Sequence, residues 1–193
     1  MPLRSFIALE FSLSTRQQLG ALIQQLAKAA PARVVRWVSA EAMHLTLKFL
    51  GDTAERDVPK IVTALEGLHV NSFTLTTSRL GGFPNLKQPR VIWLGFDSES
   101  VAHLKKLNAA VEAAIGPLGF PTEARPFSPH LTLGRIRPEA PATQAAQIGA
   151  AARAFDSIPV LTDSITSIIL MKSELRPGGP LYTPIYRADL TGL

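Results

Sequence analysis

Hydrophobic positions along this chain fall into short runs of period two and longer runs of helical spacing, and the two alternate in a regular order. Residues 6–11 (Phe-Ile-Ala-Leu-Glu-Phe) are short, apolar and strand-like. Residues 14–30 follow with Leu19, Leu22, Ile23 and Leu26 at helical spacing, and Ser14 or Thr15 is placed to cap the helix. After Pro31 come Arg36-Trp37-Val38 and a strand over 44–50, ended by Gly51-Asp52. A second helix is predicted over about 55–68, with Val58, Ile61, Val62 and Leu65 on one face. A strand over 72–80 then ends at Gly81-Gly82-Phe83-Pro84.

The order then recurs. Residues 91–96 read as a strand, and 98–115 as a helix through Val101, Leu104, Leu107, Val111 and Ile115. A Gly/Pro-rich connection leads to a strand over 130–136. A helix over 143–155, a strand over 164–171, a Pro177-Gly178-Gly179-Pro180 turn and a closing strand over about 181–190 complete the chain. The tetrapeptide His-Leu-Thr-Leu occurs at 44–47 and again at 130–133. The span from Phe6 to His44 nearly equals that from Trp93 to His130. These matches indicate an internal duplication with approximate halves 1–88 and 89–193, each a strand–helix–strand–helix–strand unit. The expected fold is α+β and bilobal, one domain over 1–193. Each unit would form a lobe, and small sheets with helices on their outer faces would pack about a pseudo-two-fold axis.

Composition narrows the chemistry. There are no cysteines, which excludes disulfides, thiolate metal sites and a Cys nucleophile, and suits a reducing cytoplasm. The N-terminal residues lack the pattern of a secretory signal, and no apolar run approaches a membrane span, so a cytoplasmic protein without membrane contact is expected. A monomer is the default. The formal net charge of +5 favours anionic partners such as nucleic acid, although the Lys and Arg residues are scattered, with no run longer than Lys105-Lys106.

On a strand, residues two apart share a face. His44 and Thr46 therefore project together while Leu45 and Leu47 anchor the other side. His130 and Thr132 stand likewise against Leu131 and Leu133. Two such strands facing across a pseudo-axis would place two imidazoles and two hydroxyls in one cleft. That set suits phosphoryl chemistry: a neutral imidazole takes a proton from water, and a protonated one gives a proton to the leaving oxygen. The Thr hydroxyls can donate to non-bridging phosphate oxygens, where charge builds in the transition state. One copy alone would read as a half-buried strand, but two identical copies at matching positions favour function. A metal centre lacks ligands, with no Cys, no His-x-His and no acid adjacent to either His. No Gly-x-Ser-x-Gly elbow supports a serine hydrolase. His69 and His103 have no Thr partner and no counterpart in the other half, and are expected at the surface or at helix ends.

The motifs His44-Leu45-Thr46-Leu47-Lys48-Phe49-Leu50-Gly51 and Pro129-His130-Leu131-Thr132-Leu133-Gly134-Arg135 resemble the signatures of the two-histidine (2H) phosphoesterases. Within these the chain is most similar to the RNA 2′,3′-cyclic phosphodiesterases, also called 2′-5′ RNA ligases. Residues 89–95 resemble the family's central strand. Ser173-Glu174-Leu175 and Gly179-Pro180-Leu181-Tyr182 resemble its C-terminal block. The resemblance implies a bilobal α+β fold and opening of a 2′,3′-cyclic phosphate at an RNA end to a 2′-phosphate, without metal or other cofactor. It makes His44 the proton donor to the departing 3′ oxygen and His130 the proton acceptor. The resemblance also carries a reversible ligation, by which a family member could join ends through a 2′-5′ bond.

Arg135 matches the family's His-x-Thr-x-x-Arg pattern as a phosphate clamp beside Thr46 and Thr132. An ideal strand would place it on the opposite face from His130, so a bulge near Gly134 is required. Phe49 holds the same offset after His44, where it could line a base pocket or sit in the core. Phe6, Trp37, Phe127 and Tyr182 are further candidates for stacking on RNA bases, and Arg36, Arg90 and Arg125 for tracking the backbone. Two other functions remain open on the residues. One is a phosphodiesterase on small cyclic nucleotides, ADP-ribose cyclic phosphate or 2′-5′ oligonucleotides. The other is a non-catalytic RNA-binding module, against which the intact His and Thr pairs count.

Overall fold

A computed structural model describes residues 3–155, 159–176 and 179–191. In chain order its elements are β1 (Leu3–Glu10), α1 (Leu13–Ala29), β2 (Val35–Trp37), β3 (His44–Thr53), α2 (Val58–Glu66), β4 (Phe73–Phe83) and β5 (Val91–Phe96). There follow α3 (Ser98–Ile115), β6 (Leu131–Ile136), α4 (Ala142–Arg153), β7 (Thr162–Ile165), β8 (Ser167–Arg176) and β9 (Gly179–Asp189). Short 3-10 turns precede β3 and α2 and follow α3. Among the described residues no helix is long and apolar enough to cross a membrane.

The strands form two antiparallel sheets. The first runs β3-β1-β8-β9 and the second β2-β6-β5-β4-β7. Read from the His-bearing strands, β3-β1-β8 matches β6-β5-β4, so the two sheets repeat one plan. The repeats do not each build their own lobe, however. Strand β4 of the first repeat joins the second sheet, and β8 of the second repeat joins the first. The helices also reach across: α1, which follows β1, packs on β2 and α4, and α3, which follows β5, packs on β3 of the first sheet as well as on β4 of the second and on α2. Ile7, Leu9 and Leu45 from one sheet and Ile92, Leu94 and Leu131 from the other therefore share a single continuous core with these helices. Period-two patterning cannot reveal such an exchange, because a buried strand reads the same in either sheet.

The local differences from the sequence reading have identifiable causes. Ser12 caps α1, accepting from the Thr15 amide, two residues before Ser14 and three before Thr15, the caps expected. Strand β4 runs through Gly81-Gly82 instead of breaking there, because these glycines admit neighbouring side chains. A Cβ on Gly81 would lie 2.1 Å from Trp93 Cζ2. The single strand expected over 164–171 is two strands, β7 in the second sheet and β8 in the first, divided at Thr166. Of the expected Pro177-Gly178-Gly179-Pro180 turn, Pro177 and Gly178 lie outside the described residues, and Gly179-Pro180 opens β9.

Candidate active site

The two His-x-Thr strands carry matching irregularities. In β3, Ala8 pairs with Thr46 and Ile7 with Lys48, leaving Leu47 as an extra residue. In β6, Trp93 pairs with Thr132 and Ile92 with Gly134, leaving Leu133 extra. Each bulge flips the parity of the residues beyond it. Phe49 then stands opposite Phe6, on the face of Thr46. Arg135 stands opposite Val91, on the face of Thr132. The turn required near Gly134 is therefore present, and it is mirrored in the other repeat. Leu45, Leu47, Leu131 and Leu133 are all buried on the core side.

Each histidine is held in the same way. His44 Nδ1 donates to the Ala42 carbonyl at 2.8 Å, and His130 Nδ1 donates to the Ser128 carbonyl at 2.7 Å. A carbonyl can only accept, so both rings carry their proton on Nδ1 when neutral and turn Nε2 outward. An aromatic edge fixes each ring plane. Tyr182 meets His44 at 4.7 Å and 80°, and Phe83 meets His130 at 4.9 Å and 82°. Behind them lie Phe6, 5.0 Å from His44, and Trp93, 6.3 Å from His130. Phe6, Ala8, Ile169 and Met171 form a small apolar cluster of their own beneath His44, with Tyr182 packed against it.

Burial depresses the basicity of both imidazoles below the ordinary histidine value, and the carbonyl bonds oppose this. The remaining influences differ in sign. The Glu10 carboxylate favours the protonated form of His44, whereas the Arg135 guanidinium disfavours protonation of His130. Burial also raises the Tyr182 phenol, opposed by the charges of Arg135, Arg36 and Arg4. Tyr182 belongs to the first sheet, but Arg135 and Arg36 belong to the second. The rims of the two sheets are thus close enough for charges on one to act on the other.

The structure sorts the other candidates. Phe49 is 59% exposed, which removes it from the core and leaves its ring free on the cleft face, 6.1 Å from Phe6. Phe6 is buried beneath His44 and cannot receive a base face-on. Trp37 pairs with Gly134 on the core side of the second sheet, and Phe127 also packs on the main core, so neither is a stacking surface. Tyr182 is half-buried at the site. Arg90 and Arg125 are exposed. His69 is exposed after α2, but His103, expected at the surface, packs against Phe73 at 5.2 Å. Among the described residues no group of three His, Cys, Asp or Glu side chains could hold a metal ion.

Phe83, Glu10 and the brace behind β3 lie outside the residues that the sequence singles out. In that brace Lys48 Nζ meets Glu112 at 2.6 Å and the Pro121 carbonyl at 2.8 Å, and Asn108 Nδ2 donates to the bulge carbonyl of Leu47 at 2.8 Å. A lysine within an apolar strand was the available signal for the brace. Phe83 and Tyr182 play equivalent roles from non-equivalent positions, so the repeat could not expose them.

The model of the LigT-like phosphoesterases matches the chain twice, over residues 10–93 and 94–182. The chain is 31% identical over 186 residues to an RNA 2′,3′-cyclic phosphodiesterase of Methanothermobacter thermautotrophicus, spanning 95% of this chain and 96% of that protein. It is 31% identical over 194 residues to one of Thermotoga maritima, spanning 98% and 97%. The crystal structure of E. coli LigT complexed with 3′-AMP superposes with a TM-score of 0.76 at 29% identity, covering 99% of both chains. A doubled match over nearly the whole length, on two sheets of one plan, places this chain in the LigT-like phosphoesterase family.

Proposed function

We propose that this phosphoesterase hydrolyses the 2′,3′-cyclic phosphate at RNA 3′ ends to a 2′-phosphate, with His44 as proton donor and His130 as proton acceptor. His130 Nε2 takes a proton from water as its oxygen bonds to phosphorus. The P–O3′ bond breaks, and the Nε2 proton of His44 passes to the departing 3′ oxygen. Thr46, Thr132 and Arg135 donate to the non-bridging oxygens while negative charge accumulates there. A 5′-hydroxyl in place of the water would yield a 2′-5′ bond.

The observation that carries this reading is the matched pair of imidazoles, each locked through Nδ1 on its own strand and each beside a Thr on the same face. Their polarity is supported by the opposite influences of Glu10 and Arg135, one suiting an acid and the other a base. It is also supported by the residue five positions beyond each His. A free aromatic, Phe49, flanks His44, where a nucleoside would rest, and a cation, Arg135, flanks His130, where the phosphate would rest. RNA-end phosphodiesterase relatives spanning nearly the whole chain favour an RNA end over a small cyclic nucleotide.

The test is incubation of the purified protein, in EDTA, with a 2′,3′-cyclic mononucleotide and with an oligonucleotide bearing a 2′,3′-cyclic end, followed by chromatography. The expected products carry a 2′-phosphate. His44→Ala and His130→Ala should each abolish turnover while the cyclic-phosphate RNA still binds. Retained activity in either variant would show that the acid–base pair is wrongly assigned, and loss on chelation would overturn the metal-free mechanism.

A further inference from the structure

Arg36 stands directly opposite Arg135 in the β2–β6 pairing, and both side chains are exposed on the cleft face. Like charges directly opposite on neighbouring strands repel. Among the described residues neither guanidinium has an ion-pair or hydrogen-bond partner. The arrangement is enforced from the other face of the sheet. A Cβ on Gly134 would lie 2.6 Å from Val35 Cγ1 and 2.7 Å from Trp37 Cε3, so it is the absence of a side chain there that lets β2 close onto β6. Strand β2 has three residues, and Arg36 is the one it presents to the cleft. Both arginines also lie near enough to Tyr182, the ring set edge-on against His44, for their charges to act on it, as does Arg4. An unrelieved pair of cations held at this point is half of an anion site.

We propose that Arg36 binds the phosphodiester immediately 5′ of the terminal nucleotide while Arg135 holds the reacting phosphate, so that the site reads an oligonucleotide end and not a lone nucleotide. Strand β2 is the outermost of its sheet, about 4.8 Å beyond β6. Arg36 is therefore displaced outward from the line of His130 and Thr132. The reacting phosphate already has Thr46, Thr132 and Arg135, which leaves the Arg36 guanidinium for the next anion along the strand. A diester carries one negative charge, and a guanidinium can donate to both of its free oxygens at once.

This role of Arg36 presupposes the RNA-end hydrolysis proposed above and adds which part of the RNA is recognised. The experiment compares kcat/KM on a 2′,3′-cyclic mononucleotide with that on a dinucleotide bearing the same cyclic end. A third substrate is the same dinucleotide with its internal linkage replaced by an uncharged methylphosphonate. The wild-type protein should prefer the charged dinucleotide to the mononucleotide, and Arg36→Gln should reduce that preference about tenfold. The methylphosphonate should impose a similar loss on the wild-type protein and little further loss on Arg36→Gln. An unchanged preference in the variant, or a methylphosphonate turned over as well as the diester by the wild-type protein, overturns the proposal. The second measurement needs no variant, so a folding defect cannot obscure it. Failure of the wild-type protein on all three substrates would instead sink the hydrolytic reading itself, and this proposal with it.

Discussion

Among the described residues Lys48 is the largest fully buried side chain, and its ammonium has two partners, the Glu112 carboxylate and the Pro121 carbonyl. The Lys48 side chain is 0% exposed and that of Glu112 14% exposed, so the two halves of the pair are not equally trapped. Glu112→Ala strands a charge in a dry site with one neutral acceptor, which should cost about 3–5 kcal/mol. For a chain of this length that corresponds to a fall in Tm of roughly 6–20 °C. Lys48→Met keeps most of the packed methylene volume, and the freed carboxylate can turn toward water, so its cost should stay below about 1.5 kcal/mol. The double variant Lys48→Met/Glu112→Leu should lie close to the wild-type protein, because replacing a buried pair by apolar groups is often neutral. Urea unfolding of all four proteins, with equal m-values, closes the cycle. The reasoning fails if Glu112→Ala is no more damaging than Lys48→Met, since that would mean that the ammonium is hydrated where it sits.

Three further outcomes follow from the site. Because burial depresses both imidazoles, the bell-shaped profile of kcat/KM should have its optimum on the acid side of neutrality. The Glu10 charge raises His44, so Glu10→Gln should lower the pKa of His44 and move the limb that reports it to lower pH; a profile with neither limb displaced would remove His44 from the acid–base pair. Gly81→Ala puts a methyl group where the Trp93 ring lies, 2.1 Å from Cζ2. It should destabilise by about 1–3 kcal/mol, shift the tryptophan emission and lower kcat, since the indole neighbours His130. Wild-type fluorescence and stability in that variant would show that the ring moves aside freely.

The site was more legible in the sequence than the architecture that frames it. His44, Thr46, His130 and Thr132 follow from strand parity and repetition, both of which are local. Arg135 was legible on condition that a bulge exists, because a rule of period two states where it must be broken. The membership of each sheet was not legible. Nothing in the residues around Thr166 distinguishes one strand from two strands in different sheets, and nothing in β4 or β8 names the sheet it joins. Trp37 shows the limit from another side: an aromatic beside a cleft residue in sequence lies on the opposite face, by the same parity that places Arg36 in the cleft. Glu112, Asn108 and Pro121 meet β3 only through the tertiary packing of α3.

The exchange of β4 and β8 also divides the two sheets by how far along the chain their partners lie. Every strand of the second sheet except β7 has been made by residue 136, and each pairs with a neighbour already present. The first sheet is different. Strand β1 pairs with β8 through Ser5 and Lys172, across nearly the whole chain, and β9 pairs only with β8 within that sheet. Long-range closures of this kind are slow. During synthesis the His130 side can be complete while His44 still waits for Tyr182 to leave the ribosome. Of the two sheets, the one that carries His44 is therefore the one whose closure depends on the C-terminal strands.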